Sequence, residues 1–143
     1  MRILYDTDVI FDLVLERQPY VEDAVELMRL NANGMDQGFI SGLTPVNVFY
    51  VGRKILGAER AKLYIADLLT AIEVCPVTQS ALIGALTLSF KDYEDAVQHA
   101  CAVESGIDAI ITRNVKDYKN ATLPVYTPND FLLHRKSQLK DQI

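Results

Sequence analysis

The sequence predicts an α/β protein, a three-layer α/β/α sandwich around a central, mainly parallel sheet. Three observations carry that expectation. Five short apolar runs have strand length: Ile3-Leu4-Tyr5, Gly38-Phe39-Ile40-Ser41, Ile72-Glu73-Val74-Cys75, Ala109-Ile110-Ile111-Thr112 and Pro124-Val125-Tyr126. Longer segments between them repeat apolar residues every three or four positions, the period of an amphipathic helix. Acids and amides gather after two of the runs, in Asp6-Thr7-Asp8 and Arg113-Asn114-Val115-Lys116-Asp117, where open α/β sheets bind ligands. Strands that alternate with helices favour parallel pairing, with helices covering both sheet faces.

Taken in order, Val9 to Glu16 is helical, with Val9, Ile10, Leu13 and Val14 as its apolar set. Gln18-Pro19 breaks it. A second helix spans Tyr20 to Asn33 and stops at Asn33-Gly34. Thr44-Pro45 predicts a helix start, with Thr44 as N-cap and proline at the first helical position, running through Val48 and Val51 to Gly57. Glu59 to Leu69 and Thr78 to about Leu88 follow as further helices. Asp92 is expected to cap a helix whose apolar face is Tyr93, Ala96, Val97, Ala100 and Val103, with Gly106 as its stop. Thr127-Pro128-Asn129-Asp130 opens a last helix.

Half of the 143 residues are hydrophobic, enough for one core, and no repeat, linker or low-complexity segment divides the chain. Residues 1–143 are therefore read as a single domain, with about 137–143 as a frayed polar tail. Charges interrupt every apolar run, which excludes a membrane-spanning helix, and the first residues lack a signal-peptide pattern. Cys75 and Cys101 are far apart and embedded in apolar segments, so buried free thiols in a cytoplasmic protein are expected, with no zinc site. A net charge of −5 excludes the broad basic footprint of a DNA-coating protein. It leaves room for a nucleic-acid enzyme whose carboxylates supply the negative charge.

The acids point to metal chemistry. Two carboxylates about 4 Å apart repel by roughly 4 kcal/mol at an effective dielectric near 20, and a divalent cation would remove that cost. Magnesium and manganese prefer such oxygen ligands. Asp8 as a helix cap is the simpler reading of that residue, but Asp6 ends an apolar strand and capping explains it less well. Asp92, Asp95 and His99 follow one another along one edge of their helix. Asp92 reads as a cap and His99 carries no assigned chemistry. If the strands are parallel, Asp6 and the Asn114–Asp117 turn share one sheet edge.

The segments Ile3-Leu4-Tyr5-Asp6-Thr7-Asp8-Val9, Asp92-Tyr93-Glu94-Asp95-Ala96 and Ile110-Ile111-Thr112-Arg113-Asn114-Val115-Lys116-Asp117-Tyr118 together resemble the PIN-domain ribonucleases, of which the VapC-type toxins of toxin–antitoxin modules are one kind. The resemblance extends over nearly the whole chain. It implies a metal-dependent ribonuclease that hydrolyses phosphodiester bonds of single-stranded or structured RNA. Catalytic Asp6, Asp95 and Asp117 would hold Mg²⁺ or Mn²⁺ together with Asn114. Thr112, Asp8, Asp92 and Asn47 would be auxiliary, and Arg113, Lys116 and Arg53 would contact RNA phosphates. An antitoxin protein and a second copy in a homodimer are the partners it implies.

Two departures stand out. The family usually has Asn where this chain has Asp8, and usually has Glu where this chain has Asn47. An amide can donate oxygen to a metal but brings no charge, which makes Asp8 or Asp92 the expected compensating acid. It also keeps open a catalytically weak or inactive PIN-like module that binds RNA or protein. Asp6-Thr7-Asp8 is similar, too, to the opening of haloacid-dehalogenase-type phosphatases, but the lysines are poorly placed for that chemistry. Tyr50 and Tyr93 are read as core residues before base-stacking ones.

Overall fold

Ile3, Leu4 and Tyr5 cannot be exposed without cost, and a strand buried on both faces satisfies all three. In the computed structural model, which describes residues 1–141, Arg2–Tyr5 forms β1 at the centre of the sheet. The chain continues through α1 (Thr7–Val14), α2 (Val21–Ala32), β2 (Gln37–Ser41), α3 (Leu43–Leu56), α4 (Ala58–Ala71) and β3 (Glu73–Cys75). Then come α5 (Gln79–Ala85), α6 (Tyr93–Glu104), β4 (Ala109–Ile111), a 3₁₀ turn (Val115–Tyr118), β5 (Val125–Tyr126) and α7 (Pro128–Asp141). The strand order is β3-β2-β1-β4-β5, and every pairing is parallel. This is the expected three-layer sandwich. No helix among the described residues is long and apolar enough to cross a membrane.

The two-residue period of the strands sorts side chains between two cores. Ile3, Tyr5, Ile40, Ala109 and Ile111 pack with Val9 and Ile10 of α1, Leu27 of α2, Leu68 of α4 and Phe131 of α7. Leu4, Phe39, Cys75 and Ile110 point the other way, onto Ala81 and Ala85 of α5 and Ala96, Val97 and Cys101 of α6. Both cysteines are buried and free. Small residues on α5 and α6 let those helices approach the sheet closely. Gly106 adopts φ +68° just beyond α6 and provides the expected stop.

Several local expectations change in the fold. The first helix is capped by Asp6, whose carboxylate accepts from the Thr7 N–H, so α1 begins two residues before Val9. Thr44 is not an N-cap: α3 starts at Leu43, and the fully buried Thr44 hydroxyl pairs with that of Thr7 at 2.9 Å. Tyr93 lies outside the core, with its hydroxyl donating to the Leu82 carbonyl at 2.7 Å, and Tyr50 is also exposed. His99 is buried and accepts from the Thr122 N–H at 3.0 Å, so it belongs to the interior of α6 and not to its edge. Residues 137–141 of the expected frayed tail are helical, and 142–143 lie outside the described residues. Arg135 holds this last helix by pairing with the buried Asp36, the Met35 carbonyl and the Gln138 side chain.

Close packing around β2 generates a stability prediction. A Cβ at Gly38 would stand 2.6 Å from Tyr5 Cε2 and 3.0 Å from Asn31 Oδ1, and Tyr5 is locked in the core. Gly38→Ala should therefore destabilise the protein by about 1–3 kcal/mol through overpacking. The urea midpoint should fall with an unchanged slope.

Candidate active site

Reversal of strand order creates the site. From β1 the chain moves through β2 to β3 on one side, then returns to β4 and β5 on the other. Such a switch leaves a crevice at the carboxyl ends of the two central strands. The ladder continues past β1, with the Asp6 N–H donating to the Ile111 carbonyl at 2.9 Å. Asp6 and Thr112 are thereby brought side by side, 106 positions apart in the chain.

Asp6 is buried and fixed on both oxygens. Oδ1 accepts from the Thr7 N–H at 2.7 Å and from Gln98 Nε2 at 2.9 Å, while Oδ2 accepts from the Thr112 hydroxyl at 2.7 Å. Thr112 has one proton to give, and its longer 3.3 Å approach to Asp8 leaves that proton with Asp6. Asp8 Oδ2 instead accepts from the Arg113 N–H and from Asn114 Nδ2, both at 3.1 Å. Its Oδ1 is buried without a partner. Burial, then the charge of Asp6, pushes the Asp8 carboxyl up to about 7, despite the opposing Arg113 N–H, Arg113 charge and Thr112.

The start of α6 faces this pair. Asp92 caps the helix by accepting from the Glu94 and Asp95 N–H groups, as expected. Asp95 is partly buried and meets the Tyr118 hydroxyl at 3.4 Å. Desolvation first, then the charges of Asp6, Asp92 and Asp117, push its carboxyl up to about 7. Asp117 sits exposed on the 3₁₀ turn and reaches Asp95 through its field. Glu94 is likewise raised, by desolvation and then by Asp92 and Asp6, and opposed by a hydrogen bond from Asn47. Asp6, Asp8, Asp95, Asn114 and Asp117 are thus gathered at one end of the sheet.

Arg113 is placed differently from a phosphate contact. Its Nε and Nη2 donate to the two oxygens of buried Asp12 at 2.6 and 3.1 Å, and its guanidinium carbon lies 4.0 Å from the Tyr20 ring centre. The side chain is engaged in tying α1 to the exit of β4. Lys116 and Arg53 are exposed, with Arg53 stacked over Tyr50 at 4.9 Å.

Three participants escaped the sequence reading. Asp12 looked like a polar position on α1 and is the buried counter-ion of Arg113. Gln98, three residues after Asp95, lies off the apolar face expected for α6 and carried no signal in the sequence; the helix buries Ala96, Val97, Gln98, His99, Cys101 and Ala102 and leaves Tyr93 and Val103 exposed. Glu94 could not be separated from an ordinary first-turn acid, because its partner Asn47 is distant in sequence.

Whether the site suits a divalent cation can be judged from its donors. Among the described residues, no three His, Cys, Asp or Glu side chains stand close enough to chelate one ion. The available donors are nevertheless oxygens, the class that magnesium and manganese take, and magnesium commonly binds through one or two carboxylates while keeping several waters. Two buried oxygens of the site, Asp8 Oδ1 and Gln98 Oε1, lack any partner, and burial together with the charge of Asp6 raises the carboxyls of Asp8 and Asp95. A hard cation would satisfy both conditions. The donor set fits.

The raised Asp95 carboxyl fixes the sign of a pH effect. Between its ordinary value of 3.8 and about 7, folded Asp95 retains a proton that the unfolded chain has lost. That contribution to stability therefore falls as pH rises through the window. Asp95→Asn should flatten the decline, so urea midpoints at about pH 5 and about pH 8 in EDTA should converge relative to wild type. An unchanged decline in the variant would refute this assignment.

The fold and its acids can be set beside known proteins. No curated protein matches the chain by sequence. The structure of DNA-bound VapBC from Salmonella typhimurium aligns with TM-score 0.70 and 19% identity, covering 90% of this chain and 98% of that one. VapBC2 from Rickettsia felis, bound to a promoter DNA fragment, aligns with TM-score 0.69 and 15% identity, covering 89% and 98%. Mycobacterium tuberculosis VapC20, a toxin that cleaves the sarcin–ricin loop, aligns with TM-score 0.60 and 19% identity over 76% and 86% of the two chains. At these identities the likeness is one of fold. The family model for the PIN domain, however, matches residues 2–116, most of the sequence, and the chain belongs to the PIN-domain family.

Proposed function

We propose that the protein is a Mg²⁺- or Mn²⁺-dependent endoribonuclease that hydrolyses phosphodiester bonds in single-stranded or structured RNA and acts as a toxin in the cytoplasm. One observation carries this reading. Asp6, fixed at the switch between β1 and β4, shares the crevice with Asp95, whose carboxyl is raised by desolvation and then by the charges of Asp6, Asp92 and Asp117. VapC proteins of the same fold, one of them a cleaver of the sarcin–ricin loop, lend it support.

In this reading Asp6 and Asp95 hold the cation, with Asp117 and Asn114 on the open side. The bound ion supplies Lewis-acid polarisation of the phosphate and a more acidic water. Thr7, Gln98 and Thr112 keep the Asp6 carboxylate in one orientation, so little reorganisation is required when substrate arrives. Tyr118 orients Asp95 from the side. Lys116 and Arg53, both exposed, are the cations available to flanking phosphates. No covalent enzyme intermediate is required, so no phosphoaspartate should accumulate on Asp6.

An antitoxin and a second copy of the chain are the protein partners of this reading. The solved VapBC assemblies support the former, and exposed apolar residues on α3 and α4, including Val46, Ile55, Leu63 and Leu69, offer surface for either. The alternative is a non-catalytic binding module, favoured by the amide at Asn47. Incubation of the purified protein with single-stranded RNA separates the two. Cleavage should require Mg²⁺ or Mn²⁺, stop with EDTA, and fall to the metal-free background in Asp6→Asn and in Asp95→Asn. Cleavage that survives both changes would sink the site assignment. Repeated absence of cleavage by wild type, with RNA retained, would favour the binding module.

A further inference from the structure

A second recess opens beside the acids. It is a cavity of about 460 Å³ where the start of α2, the loop after β4 and the start of α7 meet, walled in part by Tyr20, Asp23, Arg113, Asn114, Pro128 and Asn129. Asn114 joins it to the acidic crevice, because its Nδ2 donates to Asp8 Oδ2 at 3.1 Å while the residue also lines the recess. Pockets for small ligands run upward from roughly 300 Å³, so a single planar ring system fits. The guanidinium carbon of Arg113 lies 4.0 Å from the centre of the Tyr20 ring, yet Tyr20 remains 42% exposed. Arg113 is itself held by its bidentate pair with buried Asp12, so the ring rests on a fixed support. An exposed aromatic that is already oriented loses little freedom when a base stacks on it.

The charge pattern selects the ligand. Arg113 is the only cation on these walls and its charge is met by Asp12, while Asp23 adds a carboxylate, so the recess is unsuited to a phosphate. Asp23 lies three residues after Tyr20, on the same face at the start of α2. Among the described residues its half-buried carboxylate makes no salt bridge or hydrogen bond. An ionised carboxylate only accepts, and its best planar complement offers two adjacent N–H donors. Of the four RNA bases, guanine alone does so on its Watson–Crick edge, through N1–H and the N2 amino group. Asn129, exposed on the same wall, supplies an amide for the O6 oxygen.

We infer that this recess is a guanine-binding subsite for a nucleotide flanking the acidic crevice, with Tyr20 as the stacking platform and Asp23 as the reader of the base edge. Arg113 is the positioning residue of Tyr20. This rests on RNA being the substrate proposed for the site, but it requires no cation, because a base is recognised whether or not the phosphodiester is hydrolysed.

Fluorescence anisotropy of end-labelled five-nucleotide RNAs, titrated with the full chain in EDTA, tests binding apart from cleavage. UUGUU should bind roughly ten-fold tighter than UUAUU, UUCUU or UUUUU. Inosine in place of the guanosine removes the N2 amino group and should lose most of that margin. Asp23→Asn should bring the four RNAs to within about two-fold of one another. Tyr20→Ala should weaken UUGUU binding roughly ten-fold, and Tyr20→Phe, which keeps the ring, should bind as wild type does. A purely structural role for Asp23 would not change the ratio between bases. Equal binding of all four RNAs by wild type, no RNA binding at all, an unchanged guanine preference in Asp23→Asn, or wild-type affinity in Tyr20→Ala would each overturn the subsite. If any of these occurs while metal-dependent cleavage still requires Asp6, only the subsite fails. If guanine preference is found and no metal restores cleavage, the subsite stands and the nuclease reading fails.

Discussion

Parallel pairing of β1 with β4 is the constraint on which the site depends. The register that sets Tyr5 against Ile111 carries on for one more residue, and the Asp6 N–H closes on the Ile111 carbonyl. A parallel ladder delivers both strands to the same edge, so the acid after β1 must meet the first residue beyond β4. That residue is Thr112, whose hydroxyl closes on Asp6. Shifting this register by one residue would reverse Ile3, Leu4 and Tyr5 between the two cores, so burial on both faces protects the geometry of the acids.

That geometry is maintained against electrostatics. Desolvation raises the carboxyls of Asp8, Glu94 and Asp95, and the charge of Asp6 raises each of them further. The surrounding hydrogen bonds offset only part of this, and two buried oxygens remain unsatisfied. Such a cluster is a local loss of stability that the hydrophobic layers on either side must outweigh, and it is the kind of unfavourable arrangement expected where charge has to be poised for a ligand. Arg113 contributes to the scaffold. Its bidentate pair with Asp12 anchors the loop after β4 to α1, and its backbone N–H orients Asp8. An arginine next to an acidic site is easily taken for a phosphate contact, yet here the guanidinium has a buried carboxylate and an aromatic face to satisfy it.

The two walls of the crevice are coupled as well. Asn47 and Glu94 form a pair in which the amide selects the orientation of the acid, while Thr44, one turn earlier on α3, bonds Thr7 at the start of α1. The first turn of α3 is therefore tied both to the segment that holds Asp6 and to the helix that holds Asp95. Asp6 is positioned from three directions, by α1, α6 and the exit of β4.

By itself the sequence determined the alternation of strands and helices, the parallel sheet, the single pair of buried thiols and the acids Asp6, Asp95 and Asp117 as the residues to watch. The strand and helix periods are local, written within a few residues, whereas Asp95 and Asp117 were singled out through the resemblance to PIN-domain ribonucleases. The caps show the boundary of that legibility. Asp92 was readable because its partners are two and three residues away, whereas Thr44 looked like a cap and was drawn instead into a buried bond with Thr7, 37 positions distant. Gln98, Asp12 and Glu94 acquire their meaning from Asp6, Arg113 and Asn47, each contacted across at least 47 residues. Only the tertiary structure decided those pairings, because a polar side chain carries the same chemistry in any context and its partner is chosen by where packing leaves it.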